Sequence, residues 1–404
     1  MKRSRAFLIP LISLGLLVPA QQLLAELSLH SLFSDHAVLQ ADLPAPVWGK
    51  ADPGAKIVVK FGDQSRLATA NAKGEWLVTL DPLKVNAEPE ILTVSSGGEK
   101  LEVEDVLVGE VWVGSGQSNM AWTVGKTTDA AMVAGEAKNG DYAQIRLFKV
   151  GTAGADEPLS DLKVSWILSN EQTTAAFSAT AFYFGRELHK SRKVPVGLIQ
   201  SAVGGTNAYS WINNATYESD PAAAVSKAWW AEAMTGFPAA QERFEAAKKK
   251  WEAEAQKGRA PRAPEGPDHY KRPTGHYNAM ISPLQPYAFR GAIWYQGERN
   301  SRPPFAEQYR DLMFSLIEDW RADWPVHAGG KRRDFPFYVV QLPNFASGDP
   351  AGWPLIREQM LNIWKEGENT GTVFTIDVGD PKDIHPTEKR PVGERLSYFA
   401  RANT

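Results

Sequence analysis

"VGSGQSNMAW", residues 113–122, is the stretch on which the reading of this chain turns. An apolar run enters it and stops at Gly114-Ser115-Gly116, followed by Gln117, Ser118 and Asn119. Such a turn either cradles a phosphate or sets a serine hydroxyl in a cleft. The phosphate reading fails on spacing. Asn119 stands where the third glycine of G-x-G-x-x-G belongs, and no Lys-Ser/Thr pair follows to make a P-loop. Met120 likewise occupies the second glycine position of the G-x-S-x-G elbow, so Ser118 is not on an α/β-hydrolase elbow. What is left is a serine at a different strand-to-helix turn.

Working outward, the sequence divides in two. Residues 26–106 carry short β-rich runs such as "GEWLVTLDPL", punctuated by Asp-Pro-Gly and Gly-Gly turns, and predict a small β-sandwich or partial jelly roll. From 107 to 404, strands alternate with amphipathic helices. Strands are expected at 108–113, 145–150, 194–200, 291–295, 336–342 and 372–377, and helices at 179–190, 306–321, 353–366 and 388–402. Continuous apolar strands suit a parallel sheet covered on both faces. The alternation predicts an α/β/α doubly wound domain with its ligands at the carboxyl ends of the strands. An Ala/Glu/Lys-rich helix at 239–257 and the Pro-rich stretch after it form an expected insertion, about 214–275.

Residues 1–25 read as a secretory signal. Lys2, Arg3 and Arg5 precede the apolar run 6–20, and cleavage is expected after Ala25, with Ala20 the other candidate. Export to a periplasm or exterior follows. The absence of cysteine excludes a disulfide framework, thiolate zinc sites and a cysteine nucleophile. A net charge of −3 gives no electrostatic case for nucleic acid or an anionic membrane as partner.

A serine nucleophile needs a base, an orienting group for that base, and donors for the oxyanion. The chain has seven histidines: His30, His36, His189, His269, His276, His327 and His385. His385 stands out because "DVGDPKDIHP" follows the last expected strand. Pro386 disfavours helix at His385, so Asp383 and His385, two apart in extended chain, face one side. Asp380 is the other nearby carboxylate. Gly204-Gly205 follows the strand at 194–200, and Gln296 and Asn300 follow the strand at 291–295; each pair offers N–H donors at a strand end. Four strand ends thus bring serine, paired glycines, amides and Asp-His together, which points to a serine esterase. The sequence holds no clustered His/Asp/Glu metal-ligand motif.

These blocks carry a resemblance. Gly116-Gln117-Ser118-Asn119-Met120, Gly204-Gly205-Thr206, "WYQGERN" (294–300) and "DIHP" (383–386) resemble the sialate O-acetylesterase family of the SGNH-hydrolase superfamily, as do "LFSDHAVLQ" (32–40) and 277–298 between them. The resemblance implies an SGNH-type, flavodoxin-like three-layer α/β/α hydrolase domain. It also implies that Ser118 attacks a sugar acetyl ester and that His385 takes the hydroxyl proton. An aspartate, Asp383 by preference, would orient His385. The Ser118 N–H, the Gly204 or Gly205 N–H and the Gln296 amide would hold the oxyanion. The resemblance implies no metal or cofactor, and the absence of a clustered metal-ligand motif agrees. Asn119, Trp122, Thr206, Trp294, Glu298 and Asn300 are the expected sugar contacts, with Trp112 and Trp211 adding to an aromatic surround. The partner is an O-acetylated carbohydrate, for whose carboxylate, if it has one, Arg299 is the nearest cation. A carbohydrate-binding protein without turnover, and a secreted esterase for other esters, are the alternatives. Asp383-x-His385 departs from the superfamily's Asp-x-x-His, and Pro391 falls in the first turns of the closing helix. Family members commonly continue with further β structure past the point matching Thr404, so the small β domain is expected to lack some strands.

Overall fold

The computed structural model describes residues 26–254, 256–324, 334–346 and 349–404. The signal-like segment 1–25 and His327 lie outside the described residues.

The N-terminal part contains β1 (Ser28–Leu29), β2 (Val38–Gln40), β3 (Ala45–Lys50), β4 (Lys56–Phe61), β5 (Gln64–Thr69), β6 (Glu75–Leu80), β7 (Asn86–Ser96) and β8 (Glu99–Gly116). β1, β3 and β6 form one sheet; β5, β4, β7, β8 and β2 pair in a second. In β6, Trp76, Val78 and Leu80 are buried while Glu75, Leu77 and Thr79 face out, the period-2 pattern of a sheet with one wet face. Ile57, Val59 and Phe61 of β4 alternate in the same way.

β8 is the hinge of the architecture. Its first half alternates as it pairs with β7, and from Val106 onward every residue is buried. The 106/107 boundary expected from composition therefore falls inside one continuous strand that serves two sheets. The apolar stretch is continuous because its two neighbours and the helices around them exclude water from both faces.

Beyond β8 come β9 (Ile145–Lys149), β10 (Ile167–Leu168), β11 (Val196–Ala202), β12 (Gly291–Tyr295), β13 (Phe337–Val340) and β14 (Thr370–Val373). The sheet order is β10-β9-β11-β8-β12-β13-β14, all parallel except β10. With β9 and β10 set aside as additions at the β11 edge, the remaining strands follow the 2-1-3-4-5 order of a doubly wound sheet. Chain connections diverge at the carboxyl ends of β8 and β12, and in such sheets that divergence opens the ligand crevice. Register makes the crevice sharp: Gly116 is level with Ala202 on β11 and with Tyr295 on β12. The residues after these three are thereby delivered to one place.

Helices α1 (Ser118–Ala121), α2 (Ala130–Lys138), α3 (Glu171–Ala175), α4 (Ala179–Arg192), α5 (Asn214–Ser219), α6 (Ala224–Ala253), α7 (Tyr309–Asp323), α8 (Gly352–Glu366) and α9 (Arg390–Asn403) complete the fold. Several boundaries differ from expectation by a few residues, and three differences bear on the site or the insertion. The insertion helix begins at Ala224, not 239, and runs through Pro238; the Ala-rich flanks carry it although proline removes one backbone hydrogen bond. The last strand ends at Val373, and Ile376–Val378 is a 3-10 turn. The closing helix starts at Arg390, so Pro391 sits in its first turn, where a missing N–H costs little.

Candidate active site

Ser118 opens α1 directly after β8. The turn exists because Gly116 has φ +130°, and a Cβ there would stand 2.2 Å from the Tyr295 carbonyl oxygen. Only glycine permits that approach. The Gln117 N–H then donates to the Tyr295 carbonyl at 2.9 Å, and the Val203 N–H to the Gly116 carbonyl at 3.1 Å, locking the turn between β11 and β12.

His385 reaches Ser118 from the loop before α9. Its Nε2 lies 2.8 Å from Ser118 Oγ. Trp122, just past α1, stacks on the imidazole at 5.1 Å between ring centres and 13° between planes, which fixes the ring's tilt. Asp383 Oδ1 accepts the His385 backbone N–H at 2.8 Å and lies 3.6 Å from ring Nδ1. Asp380 points elsewhere: its Oδ1 accepts the Lys382 and Asp383 N–H groups at 2.7 and 3.3 Å. Burial holds the His385 pKa below its ordinary value; Asp383 opposes this, while Lys389 and Lys126 reinforce it. A neutral imidazole beside a hydroxyl is the state a general base needs. The N-terminus of α9 begins five residues after His385, and it is burial and two lysines that disfavour the imidazolium.

Gly204 is exposed at the cleft, and a methyl built on it would lie 3.5 Å from Ser118 Cβ. Gly205 follows with φ +68°. The N–H groups of Ser118, Gly204 and Gly205 have no hydrogen-bond partner among the described residues.

Gln296 is where expectation needs correction. It is fully buried, and its Nε2 lies 2.7 Å from Asn300 Oδ1, 2.9 Å from the Thr206 carbonyl and 3.1 Å from Gln117 Oε1. Two protons facing three internal acceptors leave none for an oxyanion. Gln296 ties the three strand-end loops together beneath the cleft. The same holds for Thr206, Trp294 and Asn300, expected at the sugar but fully buried. Thr206 Oγ1 accepts from Trp211 Nε1, Trp294 Nε1 donates to the Tyr309 hydroxyl, and Asn300 Oδ1 accepts the Ala208 N–H. Trp112 and Trp211 are core as well. Trp122 alone of these tryptophans is partly exposed, beside His385.

Asn119 is also buried. Its Oδ1 accepts from Lys389 Nζ at 2.5 Å, and its Nδ2 donates to Glu298 Oε1 at 2.5 Å and to the Ile384 carbonyl at 3.0 Å. Burial raises the Glu298 pKa to about 6. Arg299 is partly exposed and paired with Glu265 of the insertion at 3.2 Å. Lys389 and Lys271 are the residues sequence reasoning missed. Lys389 sat unremarked in a charged run, and Lys271, whose Nζ comes within 3.2 Å of a Cβ built on Gly205, sat in the Pro-rich insertion. The remaining described histidines are held elsewhere: His36 by Asp105, His189 by the Val194 carbonyl, His276 by the Ala153 carbonyl, and His30 against Trp48. His269 neighbours Tyr270. Among the described residues no group of His, Cys, Asp and Glu is arranged to hold a metal ion, and no helix is long and apolar enough to cross a membrane.

Residues 108–235 and 261–398 match the family model "Carbohydrate esterase, sialic acid-specific acetylesterase". The chain belongs to that family. Sialate O-acetylesterase of Mus musculus is 31% identical over 92% of this chain and 72% of its own length, and the Homo sapiens enzyme of that name is 29% identical over 92% and 70%. A solved carbohydrate acetylesterase from Xanthomonas citri superposes with a TM-score of 0.74 at 33% identity, covering 93% of this chain and 74% of that one. This member of the carbohydrate esterase family is a carboxylic ester hydrolase. The family match breaks between 235 and 261, within the exposed α6 insertion.

Proposed function

We propose that this esterase removes acetyl groups from sugar hydroxyls through an acyl-enzyme on Ser118. The observation that carries this reading is the 2.8 Å contact between His385 Nε2 and Ser118 Oγ at the switch point of the sheet. In the first half-reaction Ser118 Oγ attacks the acetyl carbonyl carbon, and its proton passes to His385 Nε2. The tetrahedral oxyanion is received by the Ser118 N–H with the Gly204 or Gly205 N–H. The proton moves on to the departing sugar oxygen, leaving acetyl-Ser118. Water then attacks, activated by the same imidazole, and acetate leaves. Asp383 holds the imidazole through the loop and faces the developing charge. Supporting the wider reading are the 2-1-3-4-5 strand order of an SGNH-type three-layer domain, the paired N-terminal sheets of a small sandwich, and the signal-like segment 1–25, on which we propose export to a periplasm or exterior.

The substrate is an O-acetylated carbohydrate. Arg299 is already paired with Glu265, which favours glycans lacking a carboxylate; Lys271 beside Gly205 is the feature that favours an acidic sugar such as a sialate. Acetate release from acetylated xylan, xyloglucan and O-acetyl sialosides, with mass-spectrometric trapping of acetyl-Ser118, tests the reading. No acetate from any of them, or a label on another residue, overturns it.

A further inference from the structure

Lys389 is the residue that the proposed mechanism leaves unused. It precedes α9 and is fully buried, yet its ammonium makes its hydrogen bond to a neutral side chain, Asn119 Oδ1, at 2.5 Å. A buried cation is costly unless its surroundings compensate it. Here the compensation is partial. Burial lowers the Lys389 pKa to about 7, Glu298 and Asp383 oppose this without cancelling it, and the Tyr295 ring lies 5.3 Å from the ammonium. Such an expense in a core position calls for a reason beyond packing.

The reason lies in what the ammonium does to Asn119. An asparagine amide can sit either way round unless its neighbours decide. A three-proton donor at Oδ1 fixes the oxygen toward α9 and turns Nδ2 the other way. Both Nδ2 protons are then directed, one to Glu298 Oε1 on the β12 loop and one to the Ile384 carbonyl. Ile384 immediately precedes His385, and Asn119 immediately follows Ser118. The amide is therefore a clamp between the chain carrying the hydroxyl and the chain carrying the imidazole. We propose that Lys389 is a positioning residue which, through Asn119, holds the His385 loop in register with Ser118. This deepens the acyl-enzyme reading and rests on it.

Two consequences follow. Without Lys389 the amide is free to rotate, so turnover falls while sugar binding, which the clamp does not touch, stays. Lys389 also lowers the His385 pKa, so its loss raises that pKa and moves the acid limb of activity to higher pH. The groups facing Lys389 are Glu298, Asp383, Asn119 and Tyr295; none replaces its positive charge at the imidazole.

The test compares Lys389→Met, Asn119→Ala and the double variant in the full chain, with kcat, KM and pH–rate profiles on one acetylated sugar. The expected result is a kcat about 10–100-fold lower in each, with KM within about threefold. The acid limb should shift upward in Lys389→Met, and the double variant should be no worse than either single, because both act through one amide. If Lys389→Met does not fold, Asn119→Ala alone carries the test. A wild-type kcat in Asn119→Ala, or additive losses in the double variant, overturns the proposal. Loss in these variants with full activity in Ser118→Ala would instead overturn the acyl-enzyme reading, so the two failures are distinguishable.

Discussion

Asp383 meets His385 more closely at the backbone than at the ring: Oδ1 accepts the His385 N–H at 2.8 Å but lies 3.6 Å from Nδ1. The carboxylate thus shapes the loop and acts on the imidazole mainly through its charge. It is also more than half exposed, which screens that charge.

Asp383→Asn is therefore expected to lower kcat by about 10–100-fold, less than the ~10⁴ lost when the carboxylate is buried against its histidine. Asp383 raises the His385 pKa, so its neutralisation lowers that pKa and moves the acid limb to lower pH. Asp380→Asn keeps one acceptor for the Lys382 and Asp383 N–H groups and should be mild. Parallel pH–rate profiles check both. A severe loss in Asp380→Asn beside a near-normal Asp383→Asn would reverse the assignment.

Wild-type kcat/KM should keep its acid-limb midpoint below 6.5, because burial, Lys389 and Lys126 all disfavour the imidazolium. Lys126→Ala removes one contributor and should move that midpoint upward by a few tenths of a pH unit. Its charge lies 5.3 Å from the centre of the Trp122 ring that covers His385. A midpoint above that of free histidine would contradict this electrostatic picture.

Gln296→Leu should cost stability first. The substitution leaves the Thr206 carbonyl without its donor, worth about 1–3 kcal/mol for a group left unsatisfied, and takes one of two donors from Asn300 Oδ1. Calorimetry should show a clearly lowered Tm, with activity falling alongside. An unchanged Tm with a purely kcat defect would restore Gln296 as an oxyanion donor.

Gly204→Ala probes the oxyanion wall without straining the fold, since Gly204 is exposed and its φ is not positive. The added methyl would stand against Ser118 Cβ where the acetyl group must enter. Stability within about 0.5 kcal/mol of wild type and a kcat/KM loss of about tenfold or more are expected. Unimpaired turnover would move the acetyl group to another side of Ser118.

The sequence was most legible where backbone chemistry leaves no choice. Gly116 announces its turn because nothing larger fits against Tyr295, and the buried strands announce themselves by unbroken apolarity. Ser118 and His385, 267 positions apart in the chain, could be paired because each follows a strand in a fold that collects strand ends. The illegible part was which polar residues face inward. Gln296, Asn300 and Thr206 read as donors for a ligand, yet the loops after β8, β11 and β12 need internal partners for their own backbone groups, and these side chains supply them. Lys389 was hidden for the converse reason: a lysine in "PTEKRP" reads as solvated, and only the fold, with α9 packed on α4 and Nζ bonded to Asn119 of α1, shows it buried. Nor could composition place the junction between the two sheets, because β8 crosses it without interruption.

The central claim is that Ser118 carries the acyl group. Acetate release by Ser118→Ala, measured on the best acetylated sugar beside a thermal melt of the same preparation, tests it most directly. A wild-type melting temperature with turnover reduced by about three or more orders of magnitude is expected. A well-folded Ser118→Ala retaining more than about a tenth of wild-type turnover would contradict it.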